Sequence, residues 1–258
     1  MRKIILFLLL AVSLIFSVRT VGAAAFDFSD WDALLKKYTY HVTKENVRLT
    51  SVRYIFLKND KQFNYLIRKL EKFPVNSLKS YDEKLSFWIN VYNIMAVKMI
   101  SDHYPVESIK DIGSWLNPVW DKVAGVIDGD AYSLNDIEHG ILRKMGEPHI
   151  HAAIVCASVS CPDLALKSYK PDKITLQLDH QMERLLENEA KGFFVHKTEA
   201  VIYISRVFKW FKKDFQIHGG VLKCLEKHAP IEAREYLKYV ERGDYSIKYL
   251  DFNWNLNE

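Results

Sequence analysis

From Leu85 to Ile100 the chain reads LSFWINVYNIMAVKMI, and at 100° per residue its apolar side chains cover nearly the whole circumference of a helix. Just before it, Ser80-Tyr81-Asp82-Glu83 has the Ser-x-x-Glu form of a capping box. Together they predict a helix from about Asp82 to about Asp102. The apolar run is shorter than the ~20 residues that span a bilayer, so the rest of the chain has to enclose it. Asn93 then becomes a constraint. Its neighbours at i−4 and i+4 are Ile89 and Val97, and an amide buried there must find partners or cost ~1–3 kcal/mol.

The first residues have the layout of a secretory leader: Arg2 and Lys3, an apolar run from Ile4 to Val18, then small residues ending at Ala25. Cleavage after Ala25 is expected to deliver a chain beginning at Phe26 to the periplasm or the medium, with no stable membrane insertion afterwards. The full chain carries 36 basic and 32 acidic residues, and Arg2, Lys3 and Arg19 leave with the leader. The remaining near-neutral balance removes the electrostatic case for nucleic acid, which asks for a clustered basic surface. No repeat, low-complexity tract or flexible linker divides residues 26–258, which are read as one domain.

A second helix is predicted at SLNDIEHGILRKM, with Ser133 as cap and Leu134, Ile137, Ile141, Leu142 and Met145 on one face. Glu138 falls inside that face, between Leu134 and Leu142, so its carboxylate has to be paired or hydrogen-bonded. His139 sits on the shoulder, one turn before Arg143. HIHAAIVC reads as a buried strand and SVSCP as a turn, with Pro162 opening a following helix. GFFVHKTEAVIYIS reads as a hairpin turning near Lys197 to Glu199, and VFKWFKKDF and GVLKCLEKH read as helices. The class is α+β, helix-rich with a small sheet.

Three cysteines in an exported chain leave one unpaired, so this is not a disulfide scaffold. Cys156 and Cys161 admit three readings. His149, His151, Cys156 and Cys161 are zinc-ligand types, but on a strand His149 and His151 share one face while Cys156 takes the other. A Cys156–Cys161 disulfide needs Cα atoms within about 7 Å. A nucleophile is favoured by the hydroxyl-rich turn, with Ser158 and Ser160 as binding residues: the positive end of the following helix and a neighbouring imidazole would stabilise a thiolate, and backbone N–H groups an oxyanion. Position alone does not choose between the two sulfurs. The assisting imidazole is expected to be His139, with His151 as competitor and Asn93 or Glu138 as the orienting partner.

Five segments in order, FWINVYNIMAV, YSLNDIEHGILR, CASVSCPDL, RVFKWFKKDF and IKYLDFNWNLN, resemble domain-of-unknown-function family 547, from Trp31 to the C-terminus. The resemblance implies a papain-like or transglutaminase-like thiol site. The family's Cys-x-Ser-x-Ser-x-Pro pattern places its first cysteine at Cys156, and Cys161 falls where many plant relatives have serine, which favours Cys156 as nucleophile. The Glu-His pair falls on Glu138 and His139, and the Trp-x-Asn-x-x-Asn pattern on Trp88, Asn90 and Asn93. His151 matches a bacterial version of the motif. At Asn253 the family commonly carries an acidic residue.

The function expected is an exported thiol hydrolase or acyltransferase in which Cys156 attacks an amide or thioester of a peptide or small molecule and His139 moves the proton. No cofactor enters this reading. The alternative is a non-catalytic binding or scaffold module, with CASVSCP as a structural turn and Glu138, His139 and Asn93 as a buried network. A cycling redox pair is a third reading, and C-x-x-x-x-C lacks thioredoxin-like spacing.

Overall fold

A computed structural model describes residues 25–258, so the leader expected at the N-terminus lies outside the described residues. About half of the chain is helical, and the strands form three small sheets, an α+β arrangement. The helix expected around Asp82–Asp102 forms as Tyr81–His103, with the capping box in place: the Glu83 amide donates to Ser80 Oγ and the Ser80 amide to the Glu83 carboxylate. Every residue from Leu85 to Val97 is buried. Among the described residues no helix is long and apolar enough to cross a membrane.

The main core is built around this helix. The Ser29–Tyr38 and Lys61–Glu71 helices pack into it, the latter through Phe63, Leu66, Ile67 and Leu70 on one face. Two tight hairpins flank it, Thr39–Lys44 with Val47–Val52 and Val123–Ile127 with Asp130–Ser133. Their turn residues Glu45, Asn46, Asp128 and Gly129 all have positive φ, the two-residue turn whose twist suits a hairpin. A second core joins the Ile174–Leu186 and Gly220–His228 helices to a three-stranded sheet. In that sheet the expected hairpin, Phe193–His196 with Val201–Ile204, is extended by Ser246–Tyr249, parallel to the middle strand.

Two expectations give way. The HIHAAIVC segment is not a strand: Ile150–Ala153 is a single helical turn, and the chain then runs extended without a neighbouring strand. Its backbone partners come instead from the central helix. Asn93 Nδ2 donates to the Ala153 carbonyl at 2.9 Å, and Asn93 Oδ1 accepts the Val155 amide at 3.0 Å. A buried run that looks strand-like is thus satisfied by its own helical turn and by the Asn93 side chain. Pro162 opens no helix either, because the chain stays irregular to Lys170. Asn90 grips this irregular stretch in the same way, donating to the Tyr169 carbonyl and accepting its amide, both at 2.9 Å.

The helix after Ser133 forms but is not uniform. Leu134–Ile137 is α-helical, Glu138–Leu142 is a π-helical turn, and Arg143–Met145 tightens to a 3₁₀ turn. The expected VFKWFKKDF helix is likewise split, into Val207–Trp210 and Lys212–Gln216 on either side of Phe211. GVLKCLEKH is helical as expected.

Candidate active site

The cysteine turn is assembled from three directions. Ala157, immediately after Cys156, holds φ +59°, a left-handed conformation that costs a non-glycine residue ~1–3 kcal/mol and tends to mark functional turns. The C-terminal tail pairs with the turn: Val159 donates to the Asn255 carbonyl at 2.8 Å, the Asn257 amide to Ala157 at 3.1 Å, and the Asn253 amide to Ser160 Oγ at 2.9 Å. From below, the buried Lys191 ammonium donates to the Cys161 carbonyl and to Asp163, each at 2.9 Å.

These supports hold the two sulfurs together. Cys156 and Cys161 are free thiols with Sγ atoms 3.0 Å apart, and Cys161 Sγ also accepts the Cys156 amide at 2.9 Å. Ser158 Oγ lies 3.1 Å from Cys156 Sγ. The Cys161 thiol proton, the Ser158 hydroxyl and the Ser158 amide all favour negative charge on Cys156 and pull its pKa down against burial. Burial and the adjacent sulfur push Cys161 well above the ordinary thiol range. In the resting pair the Cys156 S–H donates to Cys161 Sγ, and of the two sulfurs Cys156 is the one on which negative charge is favoured.

Cys156 opens onto a cavity of about 350 Å³ that is also lined by Tyr92, Glu138, His139 and His151. Aromatic rings of Trp210, Phe252 and Trp254 pack against one another along its wall, with Phe252 and Trp254 centroids 4.6 Å apart. Glu138 is carried inward on the π turn, a helical irregularity frequent at functional sites. It accepts the Tyr92 hydroxyl at 3.1 Å, and burial lifts its carboxyl to a pKa of about 7.

The two histidines are held in opposite protonation patterns by one ion cluster. Arg143 makes a two-pronged contact with Asp214, through Nε at 2.7 Å and Nη2 at 2.8 Å. Its Nη1 lies 3.1 Å from His139 Nδ1, and since arginine only donates, a neutral His139 carries its proton on Nε2. Desolvation and Arg143 lower the His139 pKa. His151 Nε2 lies 2.8 Å from Asp214, whose pKa falls to about 2 chiefly through Arg143, so this nitrogen bears the proton and Nδ1 keeps its lone pair. The His151 ring stacks on Phe211 at 3.7 Å, Nδ1 has no hydrogen-bond partner, and burial drops the pKa to about 4.

The structure brings Cys156, Cys161, Glu138, His139 and His151 to one cavity. It places the other candidates behind it. Asn93 and Asn90 hold backbone, Ser158 Oγ sits beside the Cys156 sulfur, and Ser160 anchors the tail. Glu138 likewise bonds to Tyr92 and not to a ring nitrogen. Sequence reasoning missed Tyr92, Lys191 and Asp214. Tyr92 sat unnoticed in an apolar run, and Asp214 lies 63 residues from the histidine it contacts.

Residues 75–186 match the family model described as "Protein of unknown function, DUF547". That segment contains Asn90, Asn93, Glu138, His139, Cys156 and Cys161, and ends before Lys191, Asp214 and the tail that complete the site. No curated protein and no solved structure matches the chain.

Proposed function

Residues 75–186 match the DUF547 family model, and on that premise we propose that the chain is an exported thiol-dependent hydrolase or acyltransferase acting on an amide or thioester of a peptide or small molecule. The observation that carries this reading is the Cys156 sulfur, 3.0 Å from Cys161 Sγ and 3.1 Å from Ser158 Oγ, lining a cavity that also presents a carboxyl poised near neutrality.

Chemically, the Cys156 thiolate attacks the carbonyl carbon, and the C=O electron pair moves to oxygen. Collapse of this adduct expels the amine or thiol, which takes its proton from neutral Glu138, leaving an acyl-thioester on Cys156. Water then attacks that carbonyl and gives a proton to the Glu138 carboxylate. The C–S bond breaks, the acid leaves and the thiolate is restored; an acceptor amine in place of water makes the reaction acyl transfer. His139, with its proton on Nε2, serves as a donor to developing negative charge and not as the base, since Arg143 occupies its Nδ1 lone pair. A base with a pKa near 7 works close to its optimum at neutral pH.

The test is acyl trapping. After incubation with an activated ester, mass spectrometry is expected to find the acyl group on Cys156, none after Cys156→Ser, and accumulated adduct in Glu138→Gln, which lacks the base for hydrolysis. An unmodified Cys156 that is also alkylated no faster than Cys224 would sink the proposal and favour a scaffold role.

A further inference from the structure

Away from the cysteine turn, in the second core, His149, Cys224 and His228 place one donor atom each within 4.8 Å of one another. Cys224 and His228 stand at i and i+4 on the Gly220–His228 helix, so both point to one side of it. His149 comes from the loop that leads into Ile150–Ala153, and its ring meets that of His228 edge to face with centroids 4.8 Å apart. Asp179, from the Ile174–Leu186 helix, adds a fourth donor: its Oδ1 lies 3.6 Å from His228 Nε2, while Glu147 engages His149 Nδ1 and leaves Nε2 of that ring for a metal. A tetrahedral zinc centre with Zn–N of ~2.1 Å and Zn–S of ~2.3 Å has donor-to-donor edges of roughly 3.3–3.8 Å.

His228 supplies an independent sign. Its side chain is 1% exposed, and neither ring nitrogen has a hydrogen-bond partner. The nearest carboxylates, Asp179 at 3.6 Å and Glu183 at 4.0 Å, stand too far off to satisfy them. An imidazole left this way is destabilising, and a metal bond removes part of that cost. Glu147, 3.0 Å from His149 Nδ1, is the kind of outer carboxylate that orients a metal-binding imidazole.

The geometry points to a structural zinc site formed by His149, Cys224, His228 and Asp179. Thiolate plus imidazole is the donor set that suits zinc, and two neutral rings, one thiolate and one carboxylate balance its charge. Lys227, which now contacts both Asp179 oxygens at 3.0 and 3.2 Å, is 57% exposed and free to swing into solvent when Asp179 turns to the metal. Four protein donors leave no open position, so the ion's role is to tie two helices of the second core to the loop preceding Cys156.

Titrating the chelator-treated purified chain with Co²⁺ tests this. One Co²⁺ per chain is expected, with a thiolate-to-cobalt charge-transfer band that one equivalent of Zn²⁺ abolishes. The band should survive in the Cys156→Ser, Cys161→Ser double variant and vanish in Cys224→Ser. Should Cys224→Ser fail to fold, Glu147→Gln takes over, with an affinity lowered roughly 10- to 100-fold. Absence of saturable Co²⁺ binding, a band that follows Cys156 and Cys161, or unchanged affinity in Glu147→Gln would overturn the assignment. The acyl-trapping result on Cys156 is independent of all three.

Discussion

The Sγ atom of Cys161 lies 3.0 Å from that of Cys156 and at the same time accepts the Cys156 amide at 2.9 Å. That amide bond fixes the Cys161 sulfur, which also accepts the Cys156 S–H, and once Cys156 loses its proton Cys161 is the neighbouring thiol that favours the charge. A thiolate stabilised by hydrogen bonds needs no imidazolium beside it, and both histidines of the cavity have pKa values lowered by burial. Cys161→Ala removes the largest influence that lowers the Cys156 pKa, so that pKa rises. The pH profile of Cys156 alkylation, read by mass spectrometry, is expected to move upward. An unmoved profile would assign the stabilisation to Ser158 alone.

Glu138 and His151 bend the pH dependence of stability in opposite directions. The Glu138 pKa rises from its ordinary 4.5 to about 7, so the folded state is favoured below pH 4.5 and loses that advantage as pH climbs to 7, about 3 kcal/mol in all. The His151 pKa falls from 6.5 to about 4, so its contribution is complete above 6.5 and is lost as pH drops towards 4. Between about 4.5 and 6.5 the two oppose each other. Urea unfolding across this range should show Glu138→Gln losing stability on acidification more steeply than the parent chain, and His151→Phe gaining. Parallel curves for all three proteins would contradict the assignment.

Asp214 connects both histidines of the cavity through Arg143. Asp214→Asn leaves Arg143 without its carboxylate, frees the guanidinium to compete for His139 and takes the anionic acceptor from His151. The expected loss of stability is ~1–3 kcal/mol, with the ion pair counted at the low end because Arg143 is 30% exposed. Deacylation in the trapping experiment is expected to slow at least severalfold, since the Arg143–His139 contact sets which proton His139 offers. A variant with altered stability but an unchanged deacylation rate would limit Asp214 to packing.

Asn257 ties the tail to the core. Tyr54 donates to its Oδ1 at 2.7 Å and its Nδ2 donates to the Thr50 carbonyl at 3.2 Å, all buried. Asn257→Ala strands the Tyr54 hydroxyl in the interior and should cost ~1–3 kcal/mol by chemical denaturation. Because the neighbouring tail pairs with Ala157, Val159 and Ser160, the same substitution should also slow Cys156 alkylation. Full reactivity in a destabilised variant would show that the turn holds itself.

Much of the fold was legible because it follows from local chemistry. The capping box and all-round apolar run placed the Tyr81–His103 helix to within a residue or two, and the hairpin at Phe193–Ile204 followed from alternation and its turn. Asn93 was readable as a buried amide in need of partners. Its partners were not, because Ala153 and Val155 lie some 60 residues away. That same distance explains the misread strand at HIHAAIVC: periodicity reports burial, and says nothing about whether another strand or a lone asparagine satisfies the backbone.

What the sequence by itself determined is the α+β class, the buried central helix and the polar residues embedded in apolar faces. Those properties depend on neighbours within a turn or two of helix or strand. Only the tertiary structure decided how those groups are arranged: Cys161 set against the Cys156 sulfur, Glu138 as the carboxyl near neutrality, His139 and His151 held in different tautomers by Arg143 and Asp214, and His149 sent to a different cluster from His151. Each depends on desolvation or on a contact between distant segments, and both arise only when the chain closes on itself.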